Sequence, residues 1–216
     1  MSPYIITIAR EFGSGGKEIA LQLSELLGIP CYERQLITLA SDKSGIDESL
    51  FVETDEKLRG AQIANFLRKQ PSPVVVEPHE KGFISDVNLF NIMADVIRTL
   101  AQTQSCIIVG KCADVILNSY PNVISLFIEA PRHACVRSIM KKLNVSEKRA
   151  KYLCQKTDQY RARYYNFYSG GAEWKNPNNY DCILNSERIG RRQCAELIMA
   201  YAKQRFGSDD PQKTAE

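Results

Sequence analysis

The stretch AREFGSGGKEIA, residues 9–20, puts Gly13, Gly15, Gly16 and Lys17 where an apolar run hands over to a helical pattern. Those residue types at that junction suit an anion, above all a phosphate. A helix start presents backbone N–H groups without intrahelical partners and a partial positive charge. Glycines let the chain wrap a phosphate closely, because no Cβ intervenes. A lysine in the first helical turn then reaches the β- and γ-phosphates of a triphosphate. Ser14 adds a hydroxyl within the loop.

The match to the G-x-x-x-x-G-K-S/T phosphate-binding pattern is incomplete. With Gly16 and Lys17 aligned, Glu11 stands at the first glycine and Glu18 at the Mg²⁺-ligating hydroxyl. The dinucleotide pattern G-x-G-x-x-G fails too, with Glu18 at its third glycine. Two readings stay open on these residues: a phosphate site with altered metal handling, or a tight strand-to-helix turn. In the first, a metal would be held through water, by Ser14 or by a distant acid; its ligands are unknown.

Around this loop the sequence predicts alternating strands and helices. Residues 4–9, YIITIA, read as a buried strand, short and β-branched. A helix over 16–27 carries Ile19, Leu23, Leu26 and Leu27 on one face and stops at Gly28. IPCYERQLITLAS opens a second unit, and residues 46–69 read as charged and mostly helical, anchored by Phe51, Leu58, Ile63 and Phe66. Residues 71–85 are a Pro-rich loop or crossing segment. A helix over 86–103 turns Val87, Phe90, Ala94, Ile97 and Ala101 inward, and CIIVG, 106–110, is a second buried strand. A short helix, ADVILNS, follows. NVISLFIEA, 122–130, is a third strand, after which Pro131 opens a helix. A long basic, Tyr-rich helix over 146–168 starts at Ser146, a good cap. YDCILNS, 180–186, is a last strand, and a final helix packs through Ile189, Cys194, Leu197, Ile198 and Tyr201. The tail 207–216 is expected to be disordered. Strands alternating with helices give an α/β class with a largely parallel sheet.

The 216 residues are enough for one large domain with a real core. Between Arg132 and Arg163 ten basic residues face only Glu147 and Asp158, a local +8 that leaves −5 on the rest of a +3 chain. A basic segment on a mildly acidic body suits an anionic ligand, nucleotide or nucleic acid. Seven cysteines with no C-x-x-C pair, and only His79 and His133, argue against a zinc site or a disulfide framework. Cys106, Cys112 and Cys182 lie in or beside apolar runs, which suits a reducing cytoplasm. The N-terminal apolar run is too short for a signal peptide, and no stretch approaches the roughly 20 apolar residues of a membrane span.

With REFGSGGKEIA, YERQLI (32–37), CIIVGKCADVIL (106–117), LFIEAP (126–131), DQYRARYY (158–165) and YDCILN (180–185), the chain resembles the cytidylate kinase-like family, from about residue 4 to about 203. That family is a divergent branch of the nucleoside monophosphate (NMP) kinases among the P-loop kinases, and the missing loop hydroxyl is compatible with it. The resemblance implies a P-loop NTPase-like parallel sheet of about five strands flanked by helices, in one domain over 1–206. Its core would comprise 1–30, 86–145 and 176–206, with an NMP-binding insertion at about 31–85 and a helical lid at about 146–175.

The resemblance also implies ATP and Mg²⁺ as cofactors and nucleotides as partners. Gly13, Ser14, Gly15, Gly16 and Lys17 would bind the donor phosphates. Arg34 and Lys111 would hold the acceptor; Lys111 replaces a usual arginine and loses its bidentate fork. Asp114 would join them, or serve simply as a helix-start acid. Asp158 and Arg161 match an acid–arginine pair of the lid, or else form an ordinary i,i+3 pair on a solvated face. Arg163, pointing elsewhere, would serve the donor phosphate, and with Lys17 and Arg161 it makes the expected catalytic set. Asn185 and Ser186 match the loop bordering the donor adenine. Two arginine positions of the pattern hold Cys135 and Cys154, for which Arg132 or Arg137, and Lys151 or Lys156, are the available substitutes.

A monophosphate acceptor brings its own anionic nucleophile and needs no strong base, and none is evident in the motifs. Two rivals follow: a kinase of a small-molecule hydroxyl, with Asp114 as its base, and a nucleotide-binding protein without turnover. A nucleic-acid groove binder would not need the glycine loop, so neither nucleic acid nor membrane is expected as a partner.

Overall fold

A computed structural model describes residues 2–57, 75 and 83–207. At its centre is β1 (Ile5–Arg10). The sheet also contains β2 (Cys31–Tyr32), β3 (Cys106–Val109), β4 (Val123–Glu129) and β5 (Cys182–Asn185). Their order is β2-β3-β1-β4-β5, and every neighbouring pair is parallel.

Parallel strands with both faces covered read as continuous apolar runs, which is what IITIA and CIIV are. The period-2 pleat sorts them. Ile6, Ile8, Ile107 and Val109 join one core cluster; Ile5, Cys106 and Ile108 join another. Fully burying one such isoleucine contributes about 1.5–3 kcal/mol. One face is closed by α1 (Gly16–Leu27) and α9 (Arg191–Phe206), through Ile19, Leu23, Cys194 and Ile198. The other is covered by α2 (Gln35–Ser44), α3 (Glu48–Lys57) and α4 (Asp86–Thr103), through Leu36, Ala40, Phe51 and Ile97. The four-residue α5 (Ala113–Ile116) follows β3, and α6 (Arg132–Leu143) follows β4. Then come α7 (Glu147–Tyr168) and α8 (Ser186–Ile189).

Most predicted elements are present at nearly the predicted bounds. Ser146 caps α7 by accepting the Arg149 N–H at 3.3 Å. Gly28 ends α1 in the left-handed conformation that glycine favours. Three expectations change. β2 was not foreseen as a strand, yet it lies in the sheet beside β3. Leu36, Ile37, Ala40, Ile46 and Phe51, which follow β2, pack in the same core cluster as Ile5, Cys106 and Ile108. Leu26 and Leu197, expected to pack inward, are 37% and 52% exposed. On α1 the buried line is Ile19, Ala20 and Leu23, and on α9 it is Cys194, Ala195, Ile198 and Ala202. Small residues at those positions let the two helices approach, and the larger leucines point outward. The anchors Leu58, Ile63 and Phe66, most of the Pro-rich segment 71–85, and the tail from 208 lie outside the described residues. No described helix is long and apolar enough to cross a membrane.

Candidate active site

The loop between β1 and α1 has the geometry of an anion cradle. Gly13 and Gly15 take φ of 95° and 84°, which side chains resist. Space is equally limiting: a Cβ on Gly13 would lie 2.6 Å from the Cys135 carbonyl oxygen. α1 starts at Gly16 with no side-chain cap on its first-turn N–H groups. Those donors are left for a ligand or water.

Cations gather around that helix start. The Glu33 carboxylate accepts from Arg10 at 2.8 Å and pairs with Lys17 at 2.6 Å. Burial acts to raise the Glu33 pKa, but the Lys17 and Arg10 contacts outweigh it and hold the carboxyl below its ordinary range. The Arg10 guanidinium packs against Gly110, where a Cβ would collide with it. Arg161, on α7, donates to the Arg10 carbonyl at 2.7 Å and lies over the Phe12 ring at 5.7 Å. Burial, with the nearby Arg10 charge, pulls the Arg161 guanidinium down to about 9. It stays protonated at neutral pH, so two arginines are held close together, an arrangement that an anion between them would relieve.

Asp158 completes the link between the long helix and the loop. It accepts the Phe12 N–H at 2.7 Å and the Arg132 guanidinium at 2.7 Å. Asp158 and Arg161 thus both engage the loop backbone from one face of α7, as their i,i+3 spacing allows. Arg163, two positions on, is exposed.

The departures from the phosphate-loop pattern have structural occupations. Glu11 is only 7% exposed and accepts the Ala130 N–H at 3.3 Å. It pairs with Lys175 and lies 4.0 Å from Arg132. It therefore ties the loop to the start of α6 and to the segment after α7. Glu18 points outward and pairs with Arg191, whose side chain lies over Gly15 and donates to Ser138 at 3.0 Å. The two cysteines at arginine positions, Cys135 and Cys154, are fully buried in a small cluster with Val136, Ile139 and Ala150 between α6 and α7. Burial pushes the Cys135 thiol up to about 12, so it packs as a neutral group. Of the proposed substitutes only Arg132 reaches the loop's acids. Arg137 pairs with Glu187, Lys151 with Glu147, and Lys156 sits over the Tyr152 ring.

The acceptor-side residues are more dispersed. Arg34 is exposed at the start of α2. Lys111 and Cys112 follow Gly110 with φ of 59° and 53°, three left-handed residues in a row after β3. Asp114 is buried, and it lines a cavity whose walls include no residue of the glycine loop. At the end of β5, Asn185 caps α8 by accepting the Arg188 N–H at 3.2 Å. The Ser186 hydroxyl donates to the Ser14 carbonyl at 2.6 Å and so fastens the loop from that side. Ser14 is buried and its own hydroxyl donates to the Glu11 carbonyl at 2.9 Å.

Four site residues were missed from sequence: Arg10, Glu33, Lys175 and Arg191. The first two carried a signal, a charged residue just past a buried strand and beside a quoted motif. Lys175 and Arg191 reach the loop only through the fold.

The residues fit a donor triphosphate: an uncapped helix start, two left-handed glycines, Lys17, and arginines converging from β1 and α7. They do not fit direct metal ligation by the loop. Glu18 is engaged by Arg191, and no group of three His, Cys, Asp or Glu side chains among the described residues could hold a metal ion.

Fold and site together define a P-loop kinase-like protein. The cytidylate kinase-like family model matches residues 5–188, and the chain belongs to that family. An uncharacterized protein from Eubacterium ventriosum is 27% identical, with a TM-score of 0.66 over 93% of this chain and 98% of that one. TT1252 from Thermus thermophilus shares the fold at 13% identity and a TM-score of 0.50, over 95% of this chain and 99% of that one. A shikimate kinase from Bacteroides thetaiotaomicron aligns at 12% identity and a TM-score of 0.49, over 93% and 97% of the two chains. A search of curated proteins returns no match. Membership of a kinase-like family supports phosphoryl transfer as the class of chemistry.

Proposed function

We propose that the protein transfers a phosphoryl group from ATP to a nucleoside monophosphate of the CMP or dCMP kind. The observation that carries this reading is the convergence of Arg10, Lys17 and Arg161 on the uncapped start of α1. Charge neutralisation and positioning are what phosphoryl transfer asks of a protein.

ATP would supply the transferable group. The loop 13–16 would bind the donor phosphates through backbone N–H groups, and Lys17 would turn from Glu33 toward them. Arg161 would place charge on the moving group while its helix, a lid in this reading, excludes water. Arg163 would meet the donor phosphates when the lid closes. Arg34 and Lys111 would hold the acceptor phosphate, and Asp158 would orient the acceptor from the lid. Asn185 and Ser186 would border the donor base through their backbone, since both side chains are engaged elsewhere. The site's acids, Glu11, Glu33 and Asp158, are each paired with a cation, as befits an acceptor that needs no base. The cavity position of Asp114 gives little support to its acting as base toward a hydroxyl acceptor. The cytidine preference comes from the family alone.

The test is coupled ADP release with ATP–Mg²⁺ against CMP, dCMP, UMP, AMP and GMP. CMP or dCMP should give the highest kcat/KM. ATP binding without transfer to any monophosphate would overturn the reading in favour of a nucleotide-binding protein without turnover, the one rival that the loop changes at Glu11 and Glu18 favour.

A further inference from the structure

β2, β3 and β1 lie side by side in the sheet, and their carboxyl ends deliver three residues to one place. Arg10 is the last residue of β1, Glu33 follows β2 and Gly110 follows β3. The stem of Arg10 runs past Gly16, where a Cβ would lie 2.8 Å from its Cγ. Its guanidinium reaches across to β3 and fills the space that a side chain at Gly110 would take. The side chain therefore starts at the glycine loop and ends on the β3 side of β1. The Ser186 hydroxyl, which fastens the loop, comes from the opposite side, after β5.

An anionic group already bridges Arg10 and Lys17. One Glu33 oxygen accepts from Arg10 at 2.8 Å, and the other pairs with Lys17 at 2.6 Å. Arg161 comes from α7 to the same backbone and donates to the Arg10 carbonyl at 2.7 Å. Burial first, and then the Arg10 charge, pull the Arg161 guanidinium down, so the two arginines feel each other. Three cations thus meet around the Glu33 carboxylate. The next acid, Asp158, is shared with Arg132. The excess positive charge lies at the carboxyl ends of parallel strands, where ligands bind. The Arg10 side chain is 15% exposed, so a ligand can reach it.

We propose that Arg10 binds the phosphate of the acceptor monophosphate. The proposal rests on the kinase reading for the identity of that acceptor. Position argues for it. The donor phosphates belong to the loop itself, with its uncapped helix start and Lys17, whereas the Arg10 head lies one strand over, at the turn that carries Lys111. Chemistry argues for it too. Lys111 offers a point charge, which attracts a phosphate without orienting it. A guanidinium adds a planar fork that meets two phosphate oxygens at once. Glu33 and the Gly110 slot hold that fork in place before any ligand arrives. Binding then costs little side-chain ordering.

Calorimetric titration of CMP, cytidine and ATP into the full chain tests this, with turnover of γ-labelled ATP measured alongside. Wild type should bind CMP about tenfold or more tightly than cytidine. Arg10→Met should weaken CMP about 10–100-fold, the usual loss for hydrogen bonds to a charged group, and leave cytidine and ATP within about threefold. Arg10→Lys keeps the stem and the charge without the fork, and should recover only part of the loss. Circular dichroism establishes that each variant is folded. If wild type phosphorylates CMP and folded Arg10→Met binds CMP equally well, the proposal fails and the kinase reading stands. Equal losses for CMP and ATP would make Arg10 a structural or donor-side residue and overturn the proposal. So would a wild type that binds CMP no better than cytidine. If wild type prefers CMP through Arg10 yet transfers nothing, the kinase reading fails and Arg10 stands as a monophosphate-binding residue.

Discussion

The turn after β1 and the turn after β3 lie on neighbouring parallel strands, and both run through left-handed backbone. The first uses Gly13 and Gly15, and it leads into a twelve-residue helix with an uncapped start. The second uses Gly110 but then Lys111 and Cys112, and it leads into a helix of four residues. A non-glycine residue in that region costs roughly 1–2 kcal/mol. The first turn therefore avoids strain and leaves its N–H groups open. The second accepts strain and in return sets a lysine at the end of a central strand, where ligands bind in parallel-sheet proteins. Strained backbone at a strand end is a pointer to function, and it supports the acceptor-binding role proposed for Lys111.

The comparison breaks most visibly at Gly13. Gly13→Ala should destabilise the protein by roughly 2–4 kcal/mol, combining left-handed strain with a clash against a backbone carbonyl that cannot yield. Urea unfolding measures it, and a loss under 1 kcal/mol would mean that the loop rearranges easily. Next in size is Arg161→Ala, which removes the cation that α7 lays on the loop. Phosphoryl transfer should fall about 10²-fold with only a small change in urea midpoint. Equal losses of activity and stability would make Arg161 a packing residue.

These two effects differ in how far sequence reasoning could reach them. The glycine loop was legible because its signal is local: residue types and spacing inside six positions. The Asp158 and Arg161 pair was legible in position only. Its real partners, the Phe12 N–H and the Arg10 carbonyl, lie about 150 residues away along the chain and only the fold brings them near. Glu33 sat one residue from the arginine singled out in YERQ, yet Glu33 is the one whose contacts with Arg10 and Lys17 reach the loop. β2 escaped because two residues carry no periodicity. The fates of Cys135 and Cys154 were hidden for a different reason. A family pattern records that two arginines are missing, whereas only packing shows that both positions now serve one apolar cluster.

Lys111→Gly sharpens the comparison at smaller scale. It should relieve strain and stabilise the fold by about 1 kcal/mol, while raising the KM for the acceptor. A stabilised variant with unchanged KM would leave the second turn without its functional rationale. The smallest effect belongs to Glu33→Gln. Because the Glu33 pKa is lowered in the folded state, its ionic contribution is present above the ordinary value of 4.5 and is lost as pH falls through the lowered one. Wild type should therefore lose more stability than Glu33→Gln between about pH 5 and about pH 3, by a few tenths of a kcal/mol up to about 1. Parallel pH profiles would show that Glu33 contributes no net ion-pair energy.

The most direct test is phosphoryl transfer from γ-labelled ATP to CMP, wild type against Lys17→Ala. Lys17 is exposed, and its substitution should leave the fold intact. The account predicts labelled CDP from wild type and a loss of about 10²–10³-fold in the variant. Labelled CDP formed at the same rate by both proteins would contradict it.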